Sequence, residues 1–155
     1  GVDTITYTGG KDSFTGGAGK DSFTLTARQD DATSNFLTIE DFTAGDVLDL
    51  SAGGLAIQVD DATSGLGAKI SLGSSATFTE YLENACAGNK STSDGATSWF
   101  NFSGDTYLVV DSSSASTFTR TSASDSDLLV KFTGTLDFTK STVAAGTEML
   151  TFVAV

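Results

Sequence analysis

Twenty acidic side chains stand against eight basic ones in this 155-residue chain, and no histidine accompanies them. Carboxylates are therefore its chemical equipment. They can hold cations, and in pairs they can move protons. Without an imidazole, serine or cysteine triads and histidine metal sites are excluded. The single cysteine, Cys86, excludes an intrachain disulfide and a cysteine-cluster metal site. Carboxylate pairs are too numerous to nominate a glycosidase site. The Gly-Lys steps at 10–11 and 19–20 lack the remainder of a phosphate-binding loop. No catalyst is expected. The net charge of −12 disfavours nucleic acid and anionic membranes as partners. With no run of about 18 apolar residues, no membrane insertion is expected either.

Some of the acids recur at a fixed interval. Asp3-Thr4-Ile5-Thr6, Asp12-Ser13-Phe14-Thr15 and Asp21-Ser22-Phe23-Thr24 are spaced nine residues apart. Gly9-Gly10-Lys11 precedes the second copy, and Gly16-Gly17-Ala18-Gly19-Lys20 precedes the third. Each unit reads as a glycine-rich loop ending in Asp, followed by a short strand with one inward apolar residue. Glycine tolerates positive φ, so successive loop carbonyls can turn toward one point, where the Asp adds a carboxylate. Flexible ligation by oxygen alone suits Ca²⁺, which takes about six to eight such ligands. The candidate donors are Asp3, Gly9, Gly10, Asp12, Gly16, Gly17, Ala18, Gly19 and Asp21. If each nonapeptide is half a turn of a parallel roll, Asp3 and Asp21 share one row. Asp12 would then face Asp30 on the other.

Residues 16–24 carry every fixed position of Gly-Gly-x-Gly-x-Asp-x-apolar-x, and residues 7–15 carry its second half. In this the chain resembles the repeats-in-toxin family. A second likeness begins at Phe36 and runs through Ile39-Glu40-Asp41-Phe42 and Gly45-Asp46-Val47-Leu48-Asp49-Leu50-Ser51. It is similar to the segment that closes the roll in serralysin-type C-terminal domains, where an acid two residues before the Ile is common; Leu37 stands there instead. The resemblance makes Asp41 a ligand of the last ion and leaves Asp46 and Asp49 as further candidates. It implies a calcium-bound parallel β-roll on a bacterial protein exported by type I secretion, hence a secreted or cell-surface location. The last 60 or so residues resemble more loosely the ends of type I secreted proteins, surface-layer proteins among them, and imply an uncleaved secretion signal.

The elements that must position these acids follow from pattern. Thr77-Phe78-Thr79-Glu80 is a capping box, and Gly88 a stop, which predicts a helix with Phe78, Leu82 and Ala85 on one face. Cys86 beside them reads as a small core residue. Trp99–Val110 reads as a hairpin with a three-residue loop at 103–105, and Trp99 as core rather than a sugar platform. Leu55–Val59, Lys69–Leu72, Leu128–Phe132 and Thr135–Phe138 are further candidate strands. The apolar run Met149–Val153 should pair into a sheet. The Asp-Asp-Ala-Thr-Ser strings at 30–34 and 60–64 read either as paired metal loops or, more simply, as solvated turns.

The chain is thus expected to be all-β: a short calcium-binding parallel β-roll at residues 1–50, capped by an antiparallel β-sandwich-like domain with one short helix at 51–155. The opening Gly-Val-Asp-Thr reads as a cut from a longer protein. The expected partners are calcium ions and the type I secretion machinery. Self-assembly and a cell-surface glycan are the rival partners, and the tail of a secreted hydrolase is a further alternative.

Overall fold

A computed structural model of the chain describes residues 1–27, 36–51, 66, 69–87, 96–113, 115–119, 126–144 and 147–155. They build an all-β fold of two mixed five-stranded sheets and one helix. The strands are β1 (Thr4–Tyr7), β2 (Ser13–Phe14), β3 (Ser22–Leu25), β4 (Leu37–Ile39) and β5 (Val47–Asp49), then helix α1 (Phe78–Ala87). β6 (Ala96–Phe102), β7 (Asp105–Asp111), β8 (Leu128–Phe132), β9 (Thr142–Ala144) and β10 (Met149–Thr151) follow. One sheet has the order β1-β3-β5-β10-β9 and the other β2-β4-β8-β7-β6.

The first five strands alternate between the sheets, and within each sheet they pair parallel. Parallel neighbours need a crossover between them, and here the intervening strand of the opposite sheet supplies it. In the first sheet β5 then pairs antiparallel with β10, whereas in the second β4 pairs parallel with β8, and β8 pairs antiparallel with β7. The expected boundary at residue 50 falls just after β5, yet both sheets run across it. Tyr7, Phe23 and Leu48 from the first segment share one core with Trp99, Leu108, Val130 and Leu150 from the second. Strands of two to four residues cannot bury both faces alone, so the second segment covers what the first exposes.

The β7 strand is buried along almost its whole length, because its two faces meet different partners. Leu108 and Val110 face the core between the sheets, while Tyr107 and Val109 face a second cluster that contains Leu82, Ala85 and Cys86 of α1. The capping box forms as expected: the Thr77 N–H donates to Glu80 Oε2 at 2.7 Å, and the Glu80 N–H to Thr77 Oγ1 at 3.3 Å. Trp99 is 1% exposed and belongs to the core.

Three expectations change. Phe102 pairs with Asp105, so the hairpin loop has two residues, Ser103 and Gly104, both at positive φ (53° and 92°). That is the turn whose twist matches the strands it joins. Lys69–Leu72 is not a strand; a single bridge joins Lys69 to Trp99, and the Lys69 ammonium lies 5.2 Å from the Trp99 ring centroid. Thr135–Phe138 forms no strand either, because side chains take its backbone groups: the Leu136 N–H donates to Thr106 Oγ1, and its carbonyl accepts from Asn101 Nδ2. Leu55–Val59, Gly88 and both Asp-Asp-Ala-Thr-Ser strings lie outside the described residues. Met149–Thr151 pairs between β5 and β9, as an apolar run must when leaving it in water forfeits about 1.5–3 kcal/mol per large side chain.

Candidate metal centre

Register decides which acids meet. Thr4 lies opposite Ser22, so β1 and β3 are offset by the expected 18 residues. The next step is larger: Ser22 lies opposite Val47 and Ser13 opposite Thr38, an offset of 25 in both sheets (47 − 22 and 38 − 13). The connection between β3 and β4 thus carries seven residues beyond the repeat (25 − 18), which shifts both sheets alike. Asp12 therefore aligns with Leu37, and the Thr38 N–H donates to the Asp12 carbonyl at 2.9 Å. Asp30, the expected partner of Asp12, lies outside the described residues.

The same topology divides the candidate donors between two ends of the strands. Asp3, Gly16, Gly17, Ala18, Gly19, Asp21 and Asp41 lie at one end, in the segments that lead into β1, β3 and β5. Gly9, Gly10 and Asp12 lie at the other, between β1 and β2. Gly9 and Gly10 have φ of 112° and 95°, and the Gly10 carbonyl accepts the Tyr7 hydroxyl at 2.6 Å.

At the first end the acids hold backbone amides of the neighbouring turn. The Asp3 N–H donates to Asp21 Oδ1 at 2.8 Å, and the Asp21 N–H donates to Asp46 Oδ1 at 2.9 Å. Asp3, Asp21 and Asp46 thus form a row, each directly before or one step ahead of a strand of the same sheet. Asp41 takes the Gly16 and Gly17 N–H groups at 2.8 and 2.7 Å and clamps the start of the complete motif. Asp46 also accepts the Thr43 N–H and hydroxyl. Asp46, 1% exposed, is the member of the row that the nonapeptide spacing did not select. Its signal was its place: an Asp directly before an apolar strand, like Asp21.

Asp21 is equally buried, yet its Oδ2 has no hydrogen-bond partner among the described residues. A buried carboxylate oxygen left this way costs about 1–3 kcal/mol or more. Beside it, position 16 admits nothing larger than glycine. A Cβ on Gly16 would come within 2.6 Å of that oxygen. Gly17 and Gly19 hold φ of 84° and 146°, where a side chain is strained. An orphaned carboxylate oxygen beside turned glycine backbone fits an oxygen-ligated cation. Asp21, with carbonyls of the Gly16–Gly19 loop and the remaining lone pairs of Asp41, would hold it; of these carbonyls, that of Ala18 accepts the Gly1 ammonium at 2.6 Å.

A second acidic group lies far along the chain, in the cluster under α1. Cys86, Asp111 and Asp127 offer ligand atoms within 4.8 Å of one another, and all three are buried. Asp127 is well supplied: Oδ1 accepts the Ser112 and Ser113 N–H groups at 3.0 and 2.8 Å. Its Oδ2 accepts the Thr119 N–H at 2.7 Å and the Cys86 thiol at 3.7 Å. Asp111 Oδ2 has no hydrogen-bond partner among the described residues. Burial and then the Asp127 carboxylate push Asp111 up to about 7. Burial, followed by Asp127 and Asp111, also pushes the Cys86 thiol far above its ordinary range. Sequence reasoning placed Cys86 in the core and missed the two acids. They stand 16 residues apart (127 − 111) in a serine-rich stretch without a motif.

Compared with known proteins, the chain matches no family model and no characterised sequence.

Proposed function

We propose that the chain is a non-catalytic, calcium-binding C-terminal module of a secreted bacterial protein, in which residues 1–50 form a β-roll whose folding depends on extracellular Ca²⁺. The observation that carries the reading is the buried, unpartnered Asp21 oxygen set against the one loop that holds every motif glycine. The parallel alternation of β1 to β5 and the 18-residue offset of β1 and β3 support it. So does the resemblance of residues 16–24 to the toxin-repeat motif.

The mechanism is linkage. Bound calcium would supply positive charge to loops whose acids otherwise meet mostly amide hydrogens. The chain's own residues do the rest: Asp41 fixes the Gly16–Gly17 backbone, and Asp46 and Asp21 tie the successive turns together. At about 10⁻³ M Ca²⁺ and a site Kd of about 10⁻⁴ M, each site adds roughly 1.4 kcal/mol; at about 10⁻⁷ M it adds nothing. Self-repulsion from the −12 charge opposes folding wherever calcium is scarce. The chain would then stay unfolded, and so threadable by a type I exporter, until it reaches calcium outside. The C-terminal segment serves in this reading as both export signal and strand, since β10 lies between β5 and β9.

Calcium titration followed by circular dichroism tests the proposal, with Mg²⁺ as the control ion. Asp21→Ala should raise the Ca²⁺ midpoint for folding about tenfold or more, a loss of at least about 1.4 kcal/mol. Full folding of the parent in chelator, or an unchanged midpoint in Asp21→Ala, overturns it.

A further inference from the structure

We infer that Cys86, Asp111 and Asp127 form a second metal site, built for a borderline-soft divalent cation of the zinc type and separate from the glycine-rich loops. Three elements of the fold converge on it: the end of α1, the end of β7 and the residue before β8. Their ligand atoms lie within 4.8 Å of one another, and Asp111 Oδ2 is buried there with no hydrogen-bond partner among the described residues. Asp111 itself is 4% exposed, so water does not readily serve that oxygen.

The donor set names the ion class. A thiolate beside two carboxylates is poor for Ca²⁺, which takes oxygen alone and wants more ligands. Zn²⁺ and its heavier congener Cd²⁺ accept sulfur and carboxylate oxygen together, commonly with three protein ligands and one open position. The site is also supported from behind. A carboxylate offers about four lone-pair positions, and backbone N–H groups of Ser112, Ser113 and Thr119 occupy three of them on Asp127. The fourth holds the Cys86 thiol hydrogen. Metal binding removes that hydrogen, since thiolate is the ligand form, and opens the same position toward the ion. Amide donors that fix a ligating carboxylate are the usual outer support of a metal site.

The site does not depend on the calcium reading, and its test keeps the two apart. The full chain, folded in millimolar Ca²⁺, is titrated with Cd²⁺ while the thiolate-to-cadmium charge-transfer absorption is followed. One equivalent should saturate the band, and Zn²⁺ should displace it. Asp111→Asn keeps the shape of the site and should weaken binding about tenfold or more, with the Ca²⁺ midpoint for folding unchanged. Cys86→Ser should abolish the band and leave the fold intact. Absence of a band in the folded parent overturns the inference. So does equal affinity in Asp111→Asn, which would mean a thiol acting alone, and so does a band that develops only on unfolding.

Discussion

Asp21 and Asp111 share one oddity, a buried carboxylate oxygen with no partner among the described residues, and they sit in opposite surroundings. Around Asp21 the chain is glycine, turned backbone and further acids, close to the ends of short strands. Around Asp111 it is side chain: a thiol, a second carboxylate and the apolar residues beneath α1. The first region offers oxygen donors alone on turned backbone, the second a few donors of mixed type. An all-oxygen set favours a hard, weakly held ion, and in the proposed reading that ion's concentration sets the fold. A small rigid group favours a softer ion and contributes little to a calcium response.

The sharpest way to break this contrast is Asp127→Ala. It orphans three backbone N–H groups at once, two of them on consecutive residues. The expected cost is about 3 kcal/mol or more, read as a lower urea midpoint with unchanged slope at every calcium concentration. A loss that vanishes at saturating Ca²⁺ would merge the two regions.

Gly16→Ala probes the other side. Its Cβ would fall 2.6 Å from Asp21 Oδ2, and the nearest atoms all belong to Asp21. The carboxyl must move, so the Ca²⁺ midpoint should rise about tenfold, as for Asp21→Ala. Melting in excess calcium should recover most of the parent's stability. An unshifted midpoint would show that the glycine is not kept free for a ligand.

The smallest effect is expected away from both sites. Lys131 Nζ lies 2.7 Å from Asp105 Oδ2 at the hairpin. Burial alone would raise Asp105, but the Lys131 bond and the Gly134 N–H outweigh it and hold the carboxyl below its ordinary range. A lowered folded-state value means stability present above the unfolded value and lost as pH falls through the folded one. Lys131→Met should therefore cost about 0.2–1 kcal/mol at neutral pH, less in high salt, and the difference should fade in acid. Denaturation curves at neutral and acid pH would show it, and a difference that grows in acid would contradict it.

The sequence by itself determined whatever depends on near neighbours. Thr77 and Glu80 announced the start of α1 because a capping box is closed by residues three apart. Phe14 and Phe23 announced their short strands because each follows an Asp and a glycine-rich loop. The 18-residue offset of β1 and β3 was legible because nothing interrupts the repeat between them. Tertiary structure decided the rest. The seven extra residues between β3 and β4 moved Asp12 opposite Leu37 and brought Asp46 into line with Asp21. No local pattern states how extra residues between strands reset a register, because strand pairing is fixed by which apolar faces can be buried together. Cys86, Asp111 and Asp127 come from three separate parts of the chain, and only the packing of α1 against β7 and β8 brings them within reach of one ion.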